Sequence, residues 1–248
     1  DSGVSLYTIR WNINNCNLSN SLITLVSGGT GYNVACTTVT VSAPTGIGGT
    51  QAYAKANIVS GVIDKIYFTS GGSGYVETPT LTITDANTTP GTGASAIVAG
   101  ETSKYGGPAL ARYITKKVTL DAGFDAGDLN VYITAYRPPY TDILVYYKIL
   151  NRNDIQKFDD SSWQLMTMTK GGSTYYSQYR NDFHEYTFAP GSSFDSGVDQ
   201  GFVTYTNSSG QKFSTFSQFA IKIVLMTSDS TYVPILSDMR AIALPPNV

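Results

Sequence analysis

The pentapeptide Gly28-Gly29-Thr30-Gly31-Tyr32 returns as Gly71-Gly72-Ser73-Gly74-Tyr75, about 43 residues later. A Ser precedes each copy. An alternating run follows each, Val39-Thr40-Val41 in the first and Leu81-Thr82-Ile83 in the second. Glycine at this density disfavours helix and supplies the positive φ of tight turns, while alternation marks strands. The match continues with a one-residue drift, Gly49-Thr50-Gln51-Ala52 against Gly91-Thr92-Gly93-Ala94. Each unit reads as strand, tight turn, strand and glycine loop. The clearest hairpin pairs residues 54–59 with 62–69 across Ser60-Gly61. The tyrosine that closes each pentapeptide can fold over the loop as a lid. A solenoid needs about three or more repeats to stand alone. Two copies predict a spacer or docking arm that leans on the second half, on another subunit, or on further repeats upstream of Asp1.

A glycine-rich loop also invites a phosphate-binding reading. That fingerprint requires a helix whose N-terminus holds the phosphate. Here Val, Thr, Ile and Pro79 follow without helical period, so the loop reads as a structural turn. The repeat points to a structural or adhesive protein and away from an enzyme.

Beyond the linker Lys104-Tyr105-Gly106-Gly107-Pro108 the glycine repeat stops, charge rises and strands lengthen. The expected organisation is a glycine-rich tandem β-repeat region over residues 1–104 and a β-sandwich domain over 105–248. Candidate strands span 111–120, 129–135, 143–150, 164–169, 185–188, 220–226 and 239–244, with no clear helix. The fold class is all-β, with hairpin repeats followed by an antiparallel, jelly-roll-like sandwich. The first and last of these strands are expected to lie close together.

Lys plus Arg number 16 and Asp plus Glu 18, a net charge of −2. Nucleic acid and anionic membrane both select a basic excess, so neither is the expected partner. Apolar runs such as residues 220–226 are too short to cross a bilayer. The chain starts at Asp1 without an initiator Met and without a visible secretory signal, which reads as a processed product or a fragment. Charges are few and the 18 tyrosines are many, a composition suited to extended protein contacts. Cys16 and Cys36 read as two reduced, part-buried thiols, with a disulfide as the alternative. With one His and no third Cys they do not form a zinc site.

Chemistry is sparse. His184, the one histidine, lies in Asn181-Asp182-Phe183-His184-Glu185-Tyr186, where Asp182, His184 and Tyr186 would share a strand face. No nucleophile elbow accompanies it, and an Asp two residues away along a strand runs parallel to the imidazole instead of orienting it. Asp121, Asp125 and Asp128 crowd one turn but lack the alternate spacing and terminal Glu of an EF-hand. Asp159-Asp160 read as a loop or cap feature. No catalytic residue, cofactor or metal ligand is expected. Trp163, Tyr175, Tyr176 and Tyr179 are the candidate contact residues, for a subunit or for the faces of a sugar.

Two patterns resemble structural proteins of large contractile-tailed bacteriophages. One is the repeat from Gly71 through Pro79 to Ile83, followed by Gly91-Thr92-Gly93-Ala94. The other runs from Ala111-Arg112-Tyr113-Ile114 through Asp142-Ile143-Leu144-Val145-Tyr146-Tyr147-Lys148 and Phe158-Asp159-Asp160. It closes with Phe219-Ala220-Ile221-Lys222-Ile223 and Val233-Pro234-Ile235-Leu236-Ser237-Asp238-Met239-Arg240. The resemblance implies a virion component of the tail, baseplate or fibre attachment, assembled in the host cytoplasm. Its expected partners are other virion proteins and copies of itself. The alternative expectation is a carbohydrate-binding adhesin module that recognises a host surface glycan.

Overall fold

The computed structural model describes residues 18–19, 22–107, 109, 111–171, 175–191, 203–229 and 231–246. These residues are all-β, with antiparallel sheets and no α-helix; a 3-10 turn spans Phe158–Asp160. The chain divides into two compact units, with the boundary at residues 110–111.

The first unit contains β1 (Ile23–Thr30), β2 (Thr37–Val41), β3 (Tyr53–Val59), β4 (Val62–Ser70), β5 (Leu81–Asp85) and β6 (Thr92–Val98). The hairpin β3–β4 turns at Ser60 (φ 51) and Gly61 (φ 78), two left-handed residues that match the twist of the strands. The two repeats do not stack as a solenoid; they interlock. The first strand of repeat one, β1, pairs with the last strand of repeat two, β6, and β4 pairs with β3 in the equivalent way. Ile23↔Val98 and Leu25↔Ala96 in one ladder correspond to Ile66↔Ala56 and Phe68↔Ala54 in the other, with the same β-bulge after them. Between these ladders β2 pairs with its own counterpart β5, and Thr40 faces Thr82, its equivalent in the repeat. A pseudo-twofold axis therefore passes through the Thr40–Thr82 pair. Contacts of β1 with β4 and of β5 with β6 complete a ring of six strands. Its core is built from Tyr32, Val39, Ile63 and Ile66, with Ile23, Leu25, Leu81, Ile83 and small alanines around them.

Each glycine loop is clasped by the other repeat. The Ala94 N–H donates to the Tyr32 hydroxyl (3.2 Å), and the Ala52 N–H to the Tyr75 hydroxyl (2.8 Å). Tyr75 in turn donates to the Ser42 carbonyl (3.1 Å). The tyrosines thus lie across from the loops that carry them, closing the partner repeat. Each copy supplies the pairing strand and the tyrosine hydroxyl that the other uses.

The second unit is a sandwich of β7 (Arg112–Ile114), β8 (Val118–Thr119), β9 (Asp128–Tyr136), β10 (Thr141–Leu150), β11 (Gln164–Lys170), β12 (His184–Pro190), β15 (Gln218–Thr227) and β16 (Ile235–Leu244). A small hairpin of β13 (Tyr205–Thr206) and β14 (Lys212–Phe213) is added beside it. The hydrogen-bonded order is β16-β9-β12-β11-β10-β15-β7, with β8 also on β15. Only Tyr146↔Leu165 and Tyr147↔Gln164 join β10 to β11. That short corner folds the order into two layers. Leu129, Val131 and Ile133 of β9 thereby pack in one core with Ile143, Val145, Ile149, Ile221 and Ile223 of β10 and β15. At the corner the Tyr147 hydroxyl donates to Gln164 Oε1 (2.6 Å), and burial, with Asp128 adding, pushes this phenol up to about 12. The expected strand over residues 111–120 is two short pieces, β7 and β8, interrupted where Thr115 Oγ1 accepts from the Ile221 N–H. Among the described residues this first strand and the last, β16, stand at the two ends of the order.

Candidate functional site

Three loops meet at one end of the sandwich: residues 137–140 between β9 and β10, 175–183 before β12, and 228–234 between β15 and β16. The strand registers bring them together, since Tyr136 lies opposite Ile235, Ala135 opposite His184, and Thr141 opposite Thr227. Between them is a groove of about 430 Å³ lined by Tyr136, Pro138, Pro139, Tyr176, Ser177, Gln178 and Tyr232.

Each wall of the groove is fixed from behind. Arg137 is 2 % exposed; it bonds Asp142 (3.1 Å), and its guanidinium lies under the Tyr176 ring at 4.7 Å and near Tyr186 at 5.7 Å. Its backbone N–H donates to Ser177 Oγ (2.9 Å), and the Ser177 N–H donates back to its carbonyl (2.8 Å). The Tyr186 hydroxyl donates to the Tyr175 carbonyl (2.9 Å), and the Gln178 N–H donates to Asp182 (2.8 Å). The Gln178 bond, followed by that of His184, holds the Asp182 carboxyl below the usual range although burial opposes it. On the opposite wall, Asp229 accepts from the Thr231 N–H and hydroxyl, which lower its pKa and set the turn that presents Tyr232. Tyr140 is non-glycine yet left-handed (φ 64), and its carbonyl accepts from Ser228, tying the first loop to the third. Its ring lies 6.0 Å from that of Tyr232.

The four aromatic residues singled out in the sequence separate. Tyr175, Tyr176 and Tyr179 belong to the groove end; Tyr176 lines it, the Tyr175 ring lies tilted against His184 at 4.3 Å, and Tyr179 is 75 % exposed. Trp163 does not join them. It is 5 % exposed and packs below Lys148 (5.0 Å) and Lys222 (5.5 Å), so its faces are taken and it offers no platform. Tyr136, Pro138, Pro139 and Tyr232 escaped the sequence reading. The run Pro138-Pro139-Tyr140 between two strong strands was the available signal, since prolines and an aromatic at a strand turn mark a stiff, exposed tip.

Asp182 reaches His184 Nε2 (3.0 Å), which corrects the expectation of parallel side chains. Asp182 precedes β12 and so escapes the alternation of the strand. Asp182 also accepts from the Gln178 N–H, and the imidazole lies against the Tyr175 ring. In the Asp121–Asp128 turn, Asp125 bonds Arg152 (3.3 Å), and Asp128 accepts from the Leu129 N–H. Among the described residues no three His, Cys, Asp or Glu side chains are grouped to hold a metal ion. Cys36 carries a free thiol, while Cys16 lies outside the described residues. No helix of the described residues is long and apolar enough to cross a membrane.

No protein-family model, curated protein or solved structure matches the chain.

Proposed function

We propose that the protein is a non-enzymatic structural component of a contractile-tailed phage particle, in the tail, baseplate or fibre-attachment region, working through contacts with neighbouring chains. The observation that carries this reading is the character of the sandwich edges. β16 is ten residues long and ends the hydrogen-bonded order, and Ile235, Ile242 and Leu244 along it are exposed. A protein that lives alone blunts such edges with short strands, charge or proline, because unpaired strand edges recruit other strands. β16 is not short, and it reads as a surface for strand addition.

One occupant of β16 fits its charges: a second copy of the same strand. Antiparallel pairing about a twofold at Met239 sets Asp238 opposite Arg240 of the second copy, twice in one isologous contact, beside the bonds that Arg240 makes to Glu185 and Asp238 of its own chain. The sequence resemblance to tail proteins supplies the assembly in which such contacts operate. Cross-linking and mass spectrometry on purified particles test the reading. Links from Lys116 or Lys117, which flank β8, to neighbouring chains are expected. Absence of the chain from purified particles would overturn it.

A further inference from the structure

We propose that the groove at the loop end of the sandwich is a binding site for a neutral pyranose oligosaccharide. This goes beyond the structural role and does not depend on it. Three features carry it. First, among the described residues no charged side chain lines the groove, and Arg137 behind it is buried and paired with Asp142. A ligand there gains nothing from carrying charge. Second, the lining combines tyrosine and proline faces with polar groups that the fold leaves open. Among the described residues no hydrogen bond engages the hydroxyls of Tyr136, Tyr176 and Tyr232 or the Gln178 side-chain amide. Pyranose rings need this combination, apolar C–H faces to stack on aromatic rings and a rim of hydroxyls to bond. The volume, about 430 Å³, falls in the range of small-ligand sites.

Third, the walls are built in advance. Tyr176 is held by the Arg137 guanidinium, the 175–178 segment by bonds from Tyr186, to Asp182 and with Arg137, and Tyr232 by the Asp229 turn. Tyr140 stands at the rim in a left-handed conformation that costs a β-carbon-bearing residue of order 1 kcal/mol or more, and such strain collects at ligand sites. Rigid aromatic side chains in fixed loops lose little entropy on binding. A weak ligand such as a sugar therefore profits most from this arrangement.

The test is a glycan array of neutral hexose and N-acetylhexosamine oligosaccharides, sialylated and uronate-containing glycans, and a polyproline peptide as control, probed with the full chain. Hits among neutral pyranose glycans are expected. Tyr232→Ala and Tyr176→Ala should each weaken them by about tenfold or more, while Tyr105→Ala, in the other unit and 82 % exposed, leaves them unchanged. Tyr232 is over a third exposed, so its variant keeps the fold, checked by an unaltered circular dichroism spectrum. An array without neutral hits overturns the proposal. So do hits that survive both groove variants, and binding confined to anionic glycans or to the polyproline peptide.

Discussion

Arg137 ties together more of the loop end than any other side chain described. It is buried, bonds Asp142, and lies beneath two tyrosine rings. Removing one partner of a buried ion pair leaves the other uncompensated. Arg137→Ala should therefore destabilise the second unit by about 3 kcal/mol in urea unfolding. Arg137→Lys should recover only part of this, because an ammonium cannot reproduce the planar stack under Tyr176. Asp182 works at the same scale through titration. Its folded pKa lies below that of an unfolded carboxylate, about 3.9. Its stabilisation is therefore present above that pH and lost as pH falls through the lower folded value. NMR titration should place Asp182 below an unperturbed aspartate. Asp182→Asn should remove its share of the acid dependence while Gln178 and its loop lose order. His184 was legible as a residue of interest, but its partner was not. The strand period was extended one turn too far, into a loop where alternation does not hold.

At the scale of elements, the glycine clasps make a symmetric prediction. A methyl group at Gly29 would collide with the Thr92 carbonyl, and at Gly72 with the Thr50 carbonyl, both from a left-handed backbone of φ +59. Gly29→Ala and Gly72→Ala should each cost about 2 kcal/mol or more, and similar amounts, because the sites are equivalent. Gly210→Ala, equally left-handed but with open space around it, should cost about 1 kcal/mol. Tyr75→Phe removes two hydrogen bonds and Tyr32→Phe one, so the first should cost more, by about 1 kcal/mol. Thermal denaturation of the four glycine and tyrosine variants of the clasp beside the Gly210 control separates contact from backbone strain. The repeat, its period and the Ser60-Gly61 hairpin were readable, because turn chemistry and alternation are local. The pairing of Ile23 with Val98 was not. Nothing near either residue states that the first strand of one repeat belongs with the last strand of the other.

For the whole molecule, the strands of the second unit followed from alternation, and their assembly into a two-layer sandwich from the need to bury one face of each. Trp163 shows the limit of such reasoning. Its exposure depends on Lys148 and Lys222, which β10 and β15 bring over its ring from distant parts of the chain. The groove was half visible, as Tyr175, Tyr176 and Tyr179. Its other wall required the register that sets Ile235 beside Tyr136. The central claim is that the long edge of β16 is an interface and not a tolerated exposure. Sedimentation equilibrium on the full chain tests it directly, with Ile242→Lys as the variant that places a charge on the exposed edge strand. The account predicts a concentration-dependent dimer that Ile242→Lys converts to monomer without loss of fold. A wild-type chain that stays monomeric across the accessible concentration range, or a dimer unmoved by the lysine, would contradict it.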